Sequence, residues 1–91
     1  MVGYSMKKPE LLSRLRKIEG QVRGLARMVE GDTYCIDVLT QINAVRAALQ
    51  GVAVGLVDGH VRHCVRDSIR RDGGEEKVDE LVAAVARMVN K

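Results

Sequence analysis

TYCIDVLTQINAVRAALQGVAVGLVDGHVRHCVRDSIRR, residues 33–71, decides the fold. Its apolar residues Ile36, Leu39, Ile42, Val45, Leu49, Val52 and Leu56 recur at steps of three and four, the spacing of one helical face. The pattern runs on through His60 and Cys64 to Ile69, and Asp72-Gly73-Gly74 stops it. One helix over 33–71 would be roughly 57 Å long. A self-contained globule of 91 residues spans only about 25–32 Å by radius-of-gyration scaling. Such a helix projects on both sides, and its apolar residues need partners from another copy.

The flanking segments read the same way. Pro9 suits the start of a first helix over 9–30, with Leu11, Leu15, Ile18, Val22, Leu25 and Val29 as a heptad seam. Gly31 is expected to take the left-handed cap, with Asp32 or Thr33 capping the next helix. A third helix over 75–90 has acids in its first turn and Val78, Leu81, Val82, Val85 and Val89 as its expected buried stripe. No strand pattern competes. The class is all-α: three helices per chain in a single domain, 1–91, with antiparallel hairpins pairing into a four-helix bundle.

Small residues punctuate both long helices. Ala44, Ala48, Gly51, Gly55 and Gly59 sit at three- and four-residue steps, and each glycine costs about 1 kcal/mol of helix propensity relative to alanine. Close approach of another helix offsets that cost, and a two-fold axis near residues 47–49 would supply it. Gly20-Gln21-Val22-Arg23-Gly24 repeats the spacing; it lacks the Lys-Ser or Lys-Thr and the preceding strand of a phosphate loop, so close packing is its expected role.

Charge is divided along the chain. Up to Arg27 the bases are Lys7, Lys8, Arg14, Arg16, Lys17, Arg23 and Arg27, against Glu10 and Glu19 alone; from Asp72 onward acids predominate. A solvated helix face is the ordinary fate of such charge, but a polyanion would meet the first helix. With no Phe or Trp and no helix-turn-helix pattern, duplex DNA held through its phosphates is the fitting partner. Arg14, Arg16, Lys17, Arg23 and Arg27 are the candidate contacts. No signal peptide or membrane span is legible, so a cytoplasmic protein with two reduced cysteines is expected. No Cys-x-x-Cys pair or nucleotide loop argues for an enzyme.

His60 and Cys64 are four residues apart, the spacing that lets two helical side chains grip one ion. Cys35 lies 29 residues before Cys64. On a straight helix that separation is roughly 43 Å, so Cys35 reaches the pair only from an antiparallel second chain. A buried helical cysteine is more often a small apolar filler; it is the combination that points to a site. Two thiolates and an imidazole suit Cu(I) and also zinc. Structural zinc takes four protein ligands, and His63 is the nearest possible fourth donor. Glu80 could accept a hydrogen bond from the free nitrogen of His60 and tie the site to the third helix.

Leu15-Arg16-Lys17-Ile18-Glu19-Gly20-Gln21-Val22-Arg23-Gly24, then Tyr34-Cys35-Ile36-Asp37-Val38-Leu39-Thr40-Gln41-Ile42, then His60-Val61-Arg62-His63-Cys64 closely resemble the copper-sensitive operon repressors, small helical bacterial regulators. The resemblance implies a homodimer, usually paired into a homotetramer, that binds operator DNA when metal-free. It implies one Cu(I) per subunit, held by Cys35 of one chain with His60 and Cys64 of another, whose binding releases the DNA. Tyr34 and Glu80 match family positions beside the ligands, and Arg14 matches a DNA-binding basic residue. A second family arginine falls here on Gly51, and Arg46 is its expected substitute. Nickel and cobalt sensors of the same lineage use an N-terminal His, absent here; persulfide sensors lack the His at 60; formaldehyde sensors lack the Cys at 64. A zinc- or persulfide-responsive repressor, or a copper-buffering bundle without regulatory role, are the alternatives.

Overall fold

A computed structural model describes residues 3–89. After a 3-10 turn at Ser5–Lys7 come α1 (Lys8–Glu30), α2 (Cys35–Gly59), a π-helical turn (His60–Val65), α3 (Arg66–Asp72) and α4 (Glu75–Val89). α2, the π turn and α3 follow one another without a break, so the chain has three helical arms. The middle arm begins two residues later than the periodicity suggests. Residue 90, the expected end of the third arm, lies outside the described residues.

The turn between α1 and α2 departs from expectation by one residue. Gly31 has an ordinary φ of −87°, and Asp32 takes the left-handed conformation at φ 58°. The Thr33 amide donates to the Met28 carbonyl (2.9 Å) and the Asp32 amide to that of Val29 (3.1 Å), a Schellman arrangement with an aspartate where glycine is usual. Aspartate tolerates that backbone better than most residues. Thr33 is thereby committed to closing α1, and Tyr34 precedes α2 without any side-chain cap. At the other end Gly73 (φ 87°) closes α3, and Gly74 is indispensable: a methyl there would lie 2.5 Å from Ile69 Cγ1.

α1 and α2 pair as an antiparallel hairpin, Leu11 lying against Gly55 and Arg14 over Gly51. Its core is Leu11, Ile18, Val45 and Val52, with Leu25 and Ala48 packed against them. These positions form one heptad row of each helix: 11, 18, 25 on α1 and 45, 52 on α2. The other row of the α1 seam, Leu15, Val22 and Val29, is exposed, as are Ile36, Leu39, Leu49 and Leu56 of α2. The molecule measures 56 × 29 × 13 Å. Thirteen ångströms is about the diameter of one helix with its side chains, so the arms lie in a single layer. Helical domains bury their stripes between layers; here the second layer is missing from the chain.

Two sequence expectations change accordingly. The chain's own segments already approach two glycines of α2: Leu11 Cδ2 would meet a methyl at Gly55 at 3.1 Å, and the Gly3 carbonyl oxygen one at Gly59 at 2.9 Å. Among the described residues Gly20 and Gly24 meet only the arginine side chains one turn ahead, Arg23 and Arg27, at 3.8 Å, and no described helix packs on them. The α4 stripe is not buried either: Leu81 is half-buried, but Val78, Val82, Val85 and Val89 are exposed. Among the described residues α4 has only the π turn as a substantial neighbour.

Candidate metal centre and nucleic-acid interface

Cys35 occupies the first position of α2 and is exposed; Cys64 lies in the π turn, half-buried, and both are free thiols. His60 opens that turn and is also half-buried. In a π-helix the hydrogen bonds run from i to i+5, so each turn holds more residues than in an α-helix. Four steps from His60 to Cys64 then fall just short of a full turn instead of just past it, and the two still share a side. Three steps to His63 fall further short than in an α-helix. His63, the nearest possible fourth donor, is exposed, and the π geometry sets it further round from His60 than an α-helix would.

From Cys35 to His60 is 25 residues, close to seven turns at about 3.6 residues each. The two therefore lie on one side of the rod, about 37 Å apart at 1.5 Å per residue. Between them on that side run Ile42 and Leu49, the latter 45% exposed. No group of three His, Cys, Asp or Glu able to hold a metal occurs among the described residues. A single chain thus presents two donors at one end of a partly apolar, uncovered face and the third at the other. Two thiolates and an imidazole are a donor set that fits Cu(I), should an antiparallel copy bring them together.

The segment ahead of α1 was not foreseen in this setting. Gly3 is buried against the π turn: a methyl on it would lie 2.9 Å from the Cys64 sulfur and 3.0 Å from His60 Cα. Gly59 permits this approach, since a side chain there would strike the Gly3 and Tyr4 backbone. Asp58 fixes the same segment from the side, accepting hydrogen bonds from Lys7 Nζ (2.6 Å) and Arg62 Nε (2.8 Å). Those donors hold the Asp58 carboxyl down at about 2, and the Asp58 carboxylate in turn raises the pKa of Arg62. The Asp58–Arg62 spacing of four was a legible sequence signal; Lys7, 51 residues from Asp58, was not.

The remaining expected site residues are spread over the surface. Tyr34 is exposed beside Cys35. Glu80 is exposed on α4, its carboxylate 3.9 Å from Lys77 Nζ, and it accepts no hydrogen bond from His60 among the described residues. Arg14, Arg16, Lys17, Arg23, Arg27 and Arg46 are all exposed. Arg14 pairs with Glu10 at 3.0 Å and Arg23 with Glu19 at 3.4 Å; the other four have no ion pair among the described residues. Arg14 also leans over Gly51, with Nη1 3.7 Å from where a Cβ would stand, filling space that an arginine at 51 would contest.

A thin helical hairpin with soft-metal donors at opposite ends of one face, and a band of exposed basic residues on its first helix, defines a class: metal-responsive helical regulators that bind nucleic acid. Residues 7–87 match the family model of the metal-sensitive transcriptional repressors, and the chain belongs to that family. It is 52% identical over 89 residues to the copper-sensing transcriptional repressor RicR of Mycobacterium tuberculosis, across 96% of this chain and 93% of RicR. The crystal structure of the copper-sensing repressor CsoR with Cu(I) from Geobacillus thermodenitrificans matches with a TM-score of 0.89 at 41% identity, covering 94% of this chain and 90% of that one. The nickel-responsive transcriptional regulator InrS matches with a TM-score of 0.77 at 36% identity, covering 89% and 91%. The fold is therefore shared by regulators of different metals, and the donor set must choose between them. No described helix is long and apolar enough to cross a membrane.

Proposed function

We propose that this chain is a copper-sensing transcriptional repressor that binds operator DNA when metal-free and releases it when Cu(I) binds between subunits. Cys35 of one subunit and His60 with Cys64 of another hold the metal, one Cu(I) per subunit. The observation that carries this reading is the placement of Cys35 and His60 on one side of the same rod, roughly seven turns apart, with exposed Leu49 near the midpoint. An antiparallel copy docked through that side buries Leu49 near the two-fold axis and brings each Cys35 to the other chain's π turn. The uncovered rows of α1, α2 and α4 then become the interior of a four-helix bundle, with a dimer of dimers as the expected assembly.

Copper is preferred to nickel because two of the three donors are thiolates, and to zinc because three donors are offered where structural zinc takes four. When bound, Cu(I) would supply a soft three-coordinate link between subunits. The chain's own residues translate that link. Cys64 and His60 belong to the π turn, which is the element α4 packs against and the element Gly3 covers. Displacement of that turn shifts α4, with Glu80 and Tyr34 as flanking groups, and moves the arginines of α1, with Arg46, out of register with the operator. The whole chain acts as one domain.

The test is an anaerobic Cu(I) titration of the reduced protein, read by X-ray absorption and by operator binding in the same samples. One three-coordinate Cu(I) per subunit with loss of DNA affinity is expected. Tight copper binding that leaves DNA affinity unchanged would replace the sensor by a copper buffer or by a repressor answering to another inducer, such as a persulfide acting on Cys35 and Cys64.

A further inference from the structure

The basic surface does not end with α1. Lys7, Arg14 and Arg62 line a groove of about 560 Å³ between α1 and α2, together with Glu10 and Asp58. A second groove of about 450 Å³ is walled by Asp58, Arg62 and Arg66 over Val61, Val65 and Ile69. The two grooves share Asp58 and Arg62, so they lie side by side along one path from the first helix past the π turn to α3. Arg70 follows one turn beyond Arg66 and is exposed, like Arg62 and Arg66.

We propose that this path is part of the DNA-contacting surface, with Arg62, Arg66 and Arg70 joining Lys7 and Arg14 as contacts to the phosphate backbone. The inference rests on the repressor reading and extends it to residues that the charge of α1 does not reveal. Three observations carry it. Four cations, Lys7, Arg14, Arg62 and Arg66, line the path against two carboxylates, Glu10 and Asp58, and Arg70 stands exposed one turn beyond. Arg66 and Arg70 have no ion pair among the described residues, whereas Arg14 is held by Glu10 and both Lys7 and Arg62 by Asp58. The step from Arg66 to Arg70 is about 6 Å along the helix, comparable with one to two phosphate steps at about 3.4 Å per strand.

The chemistry of the path selects its partner. The path has no aromatic side chain on which an unpaired base could stack, and arginine forks match phosphate oxygens two at a time. A duplex followed along its backbone fits such a line of charge. The path also runs past the turn that carries His60 and Cys64, so the proposed DNA surface and the proposed metal-binding turn share Val61, Arg62 and Val65.

The test compares the full-length wild type, Arg66→Ala/Arg70→Ala, Arg14→Ala, and Arg87→Ala on α4 as a control outside the path. Binding to a mixed-sequence duplex and to a duplex selected by the wild type from a random pool is measured across a salt series. Loss of two phosphate contacts should flatten the slope of log K against log salt by close to 2, at roughly 0.9 per contact. It should weaken both duplexes alike, with Cu(I) stoichiometry and helicity unchanged. A double variant with wild-type slope and affinity, beside an Arg14→Ala that binds more weakly, overturns this path and leaves the repressor reading standing. A wild type that binds neither duplex overturns both.

Discussion

Mixing two defective subunits tests the intersubunit site more sharply than any single substitution. In an antiparallel dimer each of two sites takes Cys35 from one chain and His60 with Cys64 from the other. A Cys35→Ala homodimer has no complete site, and neither has a His60→Ala/Cys64→Ala homodimer. A heterodimer of the two variants has one site with all three donors and one with none. Equal amounts, exchanged at random, give half heterodimers, so the mixture recovers about a quarter of the wild-type three-donor sites. The recovery follows from the length of the rod: with about 37 Å between Cys35 and His60, no rotamer closes the site within a chain.

The assay is to unfold the variants together, refold them, and count tight Cu(I) by competition with a chromophoric chelator. Native mass spectrometry of one isotope-labelled variant verifies that exchange took place. Cys35 is exposed, so its replacement leaves the hairpin core untouched. Recovery of no sites after verified exchange, or full stoichiometry in either variant alone, would refute the geometry. A quarter of the sites, three-coordinate by X-ray absorption, could not arise from sites contained within single chains.

Other perturbations probe neighbouring steps. Gly59→Ala places a methyl 2.9 Å from the Gly3 carbonyl and 3.0 Å from Tyr4 Cα; both obstacles are backbone, so the segment must leave and Cys64 should react with a thiol reagent nearly as fast as Cys35, while a wild-type rate ratio would show the cover unmoved. Val52, 4% exposed, lies in the hairpin core, and Val52→Ala should cost about 2 kcal/mol from two lost methyl groups and a partial cavity, measured by denaturant unfolding. Leu49→Ala should instead make the midpoint more dependent on protein concentration; a midpoint unaltered at every dilution would remove Leu49 from the interface. Asp58 is held at about 2 against an ordinary 3.8; its depressed value means the links to Lys7 and Arg62 are fully present above about pH 4 and weaken as pH falls towards 2, which the Lys7 side-chain resonances should report.

The sequence made the helices legible because each carries an apolar stripe with a fixed period, and Gly73-Gly74 marks a real break. What periodicity does not distinguish is which row of a heptad seam faces the same chain. Leu11 and Leu15 look alike in a pattern of threes and fours, yet Leu11 is buried and Leu15 exposed. The α2 glycines illustrate the same limit: a need for close approach was readable, but not that Leu11 and Gly3 of the same chain make it. Cys35, His60 and Cys64 were legible as a donor set because ligand chemistry restricts residue type and spacing so strongly. The π turn on which two of them sit leaves no periodic mark, since one looser turn barely changes which residues share a side. Asp58 shows both cases at once, its link to Arg62 being local and its link to Lys7 depending on the tertiary fold.

Thinness joins these observations. A slab 13 Å thick cannot cover both faces of its helices, and on the proposed reading the face left open on α2 is the one that carries a donor near each end. Assembly and metal binding then share a surface, and linkage makes their coupling reciprocal. Whatever factor the second subunit adds to copper affinity, copper must add to the association of subunits. The chain's two-donor half-site should bind Cu(I) more weakly when Leu49→Ala weakens the dimer, and bound Cu(I) should restore association in that variant. The same reasoning places the DNA response in the assembly. On the proposed reading a lone chain has no means of converting copper into a change of register, because the third donor, the second layer and the relative position of two basic surfaces would all arrive with the partner subunit.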